Sequence, residues 1–215
     1  HVNLHNGVRR AYAFIHYGRK VESSMAHAAR VDVMLMTPEE FLEYPYEDGK
    51  AELVRGELCL TPPPGGPHGR AGTNLVVLLA VYLKGRNFGS VFGDGVGYEL
   101  LALPRTVRVP DASFVRADRL PAEGIGPGLL KLAPDLAIEV LSPSERASAL
   151  EEKLDDYRWC GTPLIWVVDP VRRTVMIVAS DAPVRWLREG DTLDAANIIP
   201  GFTCAVEEVF DGIAR

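Results

Sequence analysis

Apolar and polar positions repeat with two periods along this chain, and the expected elements follow from which period holds where. Before residue 36 there is little regular apolar periodicity. Thr37-Pro38-Glu39-Glu40 then opens a short helix that continues through Phe41 and Leu42. Thr37 is its N-cap, Pro38 takes the first helical position, and Glu40 takes the capping-box position. Residues 50–60 (KAELVRGELCL) alternate around Gly56, which predicts a strand, a tight turn and a second strand. The run TPPPGGP at 61–67 is a rigid loop, and residues 68–85 read as a long helix with Leu75, Val76, Leu79, Val81, Tyr82 and Leu83 apolar.

Short strands are expected at 89–92, 97–100 and 107–115, separated by Gly and Pro, and 120–131 is loop. Residues 134–141 (PDLAIEVL) are almost continuously apolar, as in a central strand buried on both faces. Ser142-Pro143-Ser144 opens a helix through Trp159, ended by Gly161 and Pro163. LIWVVD at 164–169 is a second buried strand, residues 172–179 pair with it through a turn, and a short β-rich tail follows. This order predicts an α/β domain, a mixed central sheet flanked by helices.

Composition narrows the class. With 47% hydrophobic and 24% charged residues, the 215-residue chain has the makings of one large folded domain. The longest apolar run, Leu75 to Leu83, is too short to cross a bilayer. Cys59, Cys160 and Cys204 are widely spaced and odd in number, which supports neither a disulfide framework nor a zinc site and fits a cytoplasmic protein. The stretch 1–35 is read as an upstream-derived or added extension, with a start at Met25, Met34 or Met36, and 36–215 as the domain. The extension holds His1, His5, His16 and His27, which are not read as ligands. A net charge of −6 means that any basic surface for nucleic acid is local.

Two acids stand where physics does not place them casually. Glu139 lies inside AIEVL, on the strand face of Ala137 and Leu141, where a carboxylate costs several kcal/mol unless paired, protonated or bound to a cation. Asp111 follows Pro110 at the start of PDASFV, near the end of a sheet. On the helix that follows Glu139, Leu150, Leu154 and Tyr157 define the buried stripe. Lys153 lies about 40° from Tyr157 and can reach back toward Glu139, while Glu151, Glu152, Asp155 and Asp156 point further away. Plainer readings stand beside these. Glu139 can be a core carboxylate paired with Arg108 or Lys153, Asp111 a turn residue, and Lys153 a snorkelling surface lysine. Asp135 shares the face of Glu139. Arg105, Arg108, Arg116 and Arg119 form either a phosphate-binding cluster or a solvated face, and Trp159, Trp166 and Trp186 are read as packing residues.

Over residues 36–210 the chain resembles the Uma-two family of restriction endonuclease-like proteins, within the PD-(D/E)xK nuclease superfamily. The resemblance rests on AELVRGEL (51–58), Pro67-His68, VRVPDASFV (107–115), PDLAIEVLSPS (134–144), Lys153 with Tyr157, LIWVVDP (164–170) and PGF (200–202). It implies the restriction endonuclease-like fold, with Asp111 as the first acid of a metal pair and Glu139 as the acid of the (D/E)xK element. Leu141 stands where the superfamily pattern has its lysine, so Lys153 from the next helix is the implied substitute. Glu52 and His68 match positions that face the same site, and Glu52 completes the acidic cluster. On their own, Glu52 reads equally as a solvent-facing strand residue and His68 as an ordinary helix-start residue.

The implied activity is hydrolysis of DNA by an endonuclease whose Mg²⁺ or Mn²⁺ is held by the hard oxygen ligands of Asp111 and Glu139, with Glu52 joining them directly or through water. Lys153 would position or deprotonate water, and His68 would touch phosphate or act as acid or base. Family members are expected to be homodimers. The competing reading is a nuclease-fold protein that binds nucleic acid or another protein without cutting. A carboxylate-pair glycosidase is disfavoured, because that chemistry uses two carboxyls and no lysine.

Overall fold

A computed structural model describes residues 35–45, 49–143, 146–195 and 197–214. The expected extension, with its four histidines and two of the three start positions, lies outside the described residues apart from Leu35. Helix α1 (Pro38–Leu42) forms with the capping box that its sequence specifies. The Thr37 side chain accepts from the Glu40 amide, and the Glu40 carboxylate accepts from the Thr37 amide at 2.9 Å. Strands β1 (Lys50–Val54) and β2 (Glu57–Thr61) form the predicted hairpin, turning through Arg55 and Gly56 at positive φ. Helix α2 (Gly66–Leu83) begins two residues before the expected start. Pro67 is tolerated in its first turn because no intrahelical partner is needed there.

Strands β3 (Gly89–Phe92), β4 (Tyr98–Glu99), β5 (Val107–Arg108), β6 (Ala112–Arg116) and β7 (Leu136–Val140) follow. Next come α3 (Ala147–Trp159), β8 (Leu164–Asp169), β9 (Thr174–Ala179), β10 (Arg185–Arg188), β11 (Thr192–Asp194), β12 (Thr203–Ala205) and α4 (Val206–Val209). The single strand expected at 107–115 is two strands in two sheets. Pro110 has no amide hydrogen to give a ladder, so the run leaves one sheet and joins another there. Helix α3 begins at Ala147 rather than at residue 142.

The larger sheet has the order β10-β9-β8-β7-β6-β3. It is antiparallel except for β7 and β8, which run parallel and are joined through α3. The smaller sheet, β2-β1-β5-β4, is antiparallel throughout. On one face of the larger sheet, Ala71, Leu75 and Leu79 of α2 pack with Phe114, Ile138, Trp166 and the C-terminal Ile199, Phe202 and Phe210. On the other face, Tyr157 of α3 packs with Ala137, Ile165 and Val167. Leu53, Val107 and Phe41 form the core of the smaller sheet. Trp166 is buried, but Trp159 and Trp186 are 74% and 63% exposed, so only one of the three tryptophans is a packing residue. No helix among the described residues is long and apolar enough to cross a membrane.

Candidate active site

The site gathers where the two sheets meet. Ala112 pairs with Ile138 across β6 and β7, and Asp111 lies just before that ladder, next to the strand that carries Glu139. The Asp111 amide donates to the Ile138 carbonyl at 3.0 Å, which anchors Asp111 beside the end of β7. The Asp111 side chain accepts from the Val140 amide at 2.7 Å. Two acids are thereby fixed on adjacent strands by main-chain geometry, on the side that faces α3.

Glu139 is fully enclosed. The Tyr157 hydroxyl donates to its Oε1 at 2.8 Å, and Lys153 Nζ lies 3.3 Å from its Oε2. Burial pushes the Glu139 carboxyl up to about 7; the charges of Asp111 and Glu52 push the same way, against Lys153 and Lys50. The Tyr157 hydroxyl is held well above its usual value by burial and then by the Glu139 charge. Asp111 moves the other way: burial opposes ionisation, but His68 and Lys50 outweigh it and hold the carboxyl well below the ordinary range.

The five expected site residues are placed as follows. Asp111, Glu139, Lys153, Glu52 and His68 all line one cavity of about 420 Å³. His68, in the first turn of α2, brings Nε2 to 3.2 Å from Asp111 Oδ2. Glu52 comes from β1 with both oxygens engaged. Oε1 accepts from the Val109 amide at 2.9 Å, and Oε2 meets Arg108 at 3.1 Å and Lys153 at 3.7 Å. Asp135 sits at the other end of β7, where it accepts from the Arg116 amide and pairs with Arg119 at 2.8 Å.

Two residues were missed. Lys50 lies two positions before Glu52 on the same strand face. Its ammonium is 2.5 Å from Asp111 and 3.2 Å from Asp94. Burial works to lower its pKa, but Glu139, Asp111 and Asp94 together raise it. Asp156 was assigned to the outer side of α3, yet it is buried with Lys153 and Tyr157, because Arg108 and Arg55 reach it at 2.6 Å each. The arginines near Asp111 do not form a phosphate-binding cluster. Arg108 is 3% exposed and spent on Glu52 and Asp156, while Arg116 and Arg119 serve Asp135.

Among the described residues, no three His, Cys, Asp or Glu side chains converge closely enough to cage a metal. The donor set still suits a hard cation. Two neighbouring carboxylates, Asp111 and Glu139, face one cavity, and their mutual repulsion is met by the ammoniums of Lys50 and Lys153. Asp111 and Glu139 are the side chains that would hold such an ion.

The sequence model of a family described as "Putative restriction endonuclease" matches residues 38–207. Among solved structures, the chain is similar to a protein from Anabaena variabilis, described as "a putative nuclease belonging to DUF820". Identity is 21% and the TM-score 0.70, over 81% of this chain and 97% of that one. At that identity the likeness speaks for the fold, which is restriction endonuclease-like. No curated protein matches the chain.

Proposed function

This chain belongs to the Uma2 family, and from that premise we propose that it is a metal-dependent endonuclease hydrolysing phosphodiester bonds of DNA. Membership of the family supports a nuclease. The observation that carries the finer reading is the meeting of Asp111, Glu139 and Lys153, from two strands and a helix, on one cavity.

In this reading Asp111 and Glu139 would hold Mg²⁺ or Mn²⁺, which would supply Lewis-acid neutralisation of the charge that develops on the phosphate. Tyr157 fixes the rotamer of Glu139 by its 2.8 Å hydrogen bond. Lys153, 3.3 Å from that carboxylate, would position the attacking water with its ammonium. Glu52 does its work through others: it holds Lys153 and Arg108, which in turn fix α3 against β1. His68 steadies Asp111 and presents an imidazole where α2 begins, an end that favours anions.

Supercoiled plasmid with Mg²⁺ or Mn²⁺ is the direct assay. Wild type is expected to cut, EDTA to stop it, and Glu139→Ala and Lys153→Ala each to lose at least about 100-fold in rate. Equal cutting by the variants sinks the assignment. The Lys50 ammonium against Asp111, with the net charge of −6, favours a second reading in which the protein binds without cutting. That reading expects no Mn²⁺ uptake by calorimetry. The nuclease reading expects uptake that Asp111→Asn removes.

A further inference from the structure

Four cations line the cavity: Lys50, Arg108, Lys153 and Arg146. Three are already committed to carboxylates: Lys50 to Asp111, Arg108 to Glu52 and Asp156, Lys153 to Glu139. A phosphate entering the cavity gains little from charges that neighbouring acids have neutralised. Among the described residues the Arg146 guanidinium forms no ion pair and no side-chain hydrogen bond. In an acidic protein that leaves one uncommitted positive charge on the wall of the site.

Its position matters as much as its charge. Arg146 and Ser142 also line a second recess of about 460 Å³, so the two hollows share a wall. The second is mostly apolar, with Leu141, Pro143, Leu150 and the 77% exposed Val171, and Arg172 stands on its rim. Its floor is preformed. Asp169 accepts from the Val171 and Arg172 amides and from the Arg172 guanidinium, each at 2.9 Å, which fixes the turn after β8. Arg146 is also the residue just before α3, whose first turn has no side-chain cap and no acid. A cation beside an apolar recess is what one nucleotide requires: a partner for its phosphate and a surface for its sugar and base.

We propose that Arg146 binds the backbone phosphate next to the scissile one, and that the nucleic-acid strand leaves the cavity across it into the recess at Val171. This rests on the nuclease reading. Binding of a fluorescein-labelled 20-base DNA, single-stranded or duplex, is followed by anisotropy on the full chain, with Ca²⁺ in place of Mg²⁺. Arg146→Ala is expected to weaken binding about fivefold or more and to reduce the slope of log affinity against log salt by about one. Arg146→Lys keeps the slope, and Val171→Asp weakens binding by setting a carboxylate in the path. Arg185→Ala, a change at an exposed arginine on β10, leaves binding as it was. An unchanged affinity and slope in Arg146→Ala overturns the proposal while leaving the nuclease reading standing, as does an equal loss in Arg185→Ala. Wild type that binds no DNA overturns both.

Discussion

Glu139 shows how much one side chain can decide. Its burial raises the carboxyl to about 7, above its ordinary value, so across that interval the folded protein keeps a proton that the unfolded chain has released. The folded state is then favoured at acid pH, and this contribution is lost as pH rises through about 7. Glu139→Gln, which removes the charge but keeps the shape, is expected to raise Tm at pH 8 by about 2–6 °C, with the gap closing toward pH 5. Scanning calorimetry at the two values checks this, and a lower Tm at pH 8 would show that attraction to Lys153 prevails over burial. If the proposed cleavage uses the Glu139 carboxylate form, its rate is expected to fall as pH drops below about 7. Glu139 was legible in the sequence because one carboxylate interrupts an apolar strand. Lys50 was not. A lysine on an alternating strand reads as solvent-facing, and its burial depends on Asp111, 61 positions away.

At the scale of elements, Arg108 joins three of them. From β5 it reaches Glu52 on β1 and Asp156 on α3, and the charges of those two acids hold its own pKa above the usual range despite burial. Removing the guanidinium leaves Glu52 with only Lys153 and Asp156 with only Arg55 as cationic partners. Arg108→Ala is expected to cost about 3–5 kcal/mol, read from the midpoint of urea unfolding. A loss under about 1 kcal/mol would mean that water or Arg55 replaces it. The helical repeat correctly placed Lys153 near the core but sent Asp156 outward. Periodicity counts apolar residues, and here part of the inner face of α3 is ionic. The same limit hid the burial of Glu52, which only the family resemblance set apart from a solvent-facing strand residue.

Over the whole molecule, the α/β architecture and both buried central strands were legible, since apolar runs of strand length are local signals. The division of 107–115 between two sheets was not, although Pro110 marked the place, because pairing is decided by distant strands. The C-terminal segment also proved to be core rather than trimming. Leu193, Ile198, Ile199, Phe202, Val206, Val209 and Phe210 are all buried against α2 and the larger sheet. Their burial contributes on the order of 10 kcal/mol, comparable to the entire stability of a domain. A chain ended at Gly190 is expected to lose its cooperative melt and to bind ANS, while retained cooperativity would show that the segment is dispensable.

Pro110 makes the chain a seam between the sheets, and Asp111 is the first stitch on the far side. A centre sewn along such a line takes its aperture from the tilt of two sheets rather than from any one strand. Lys50 and Glu52 travel with one sheet and Glu139 with the other. Substitutions at Leu53 or Val107, deep in the smaller sheet and remote from solvent, are therefore expected to alter the spacing of these acids and ammoniums without changing any of them.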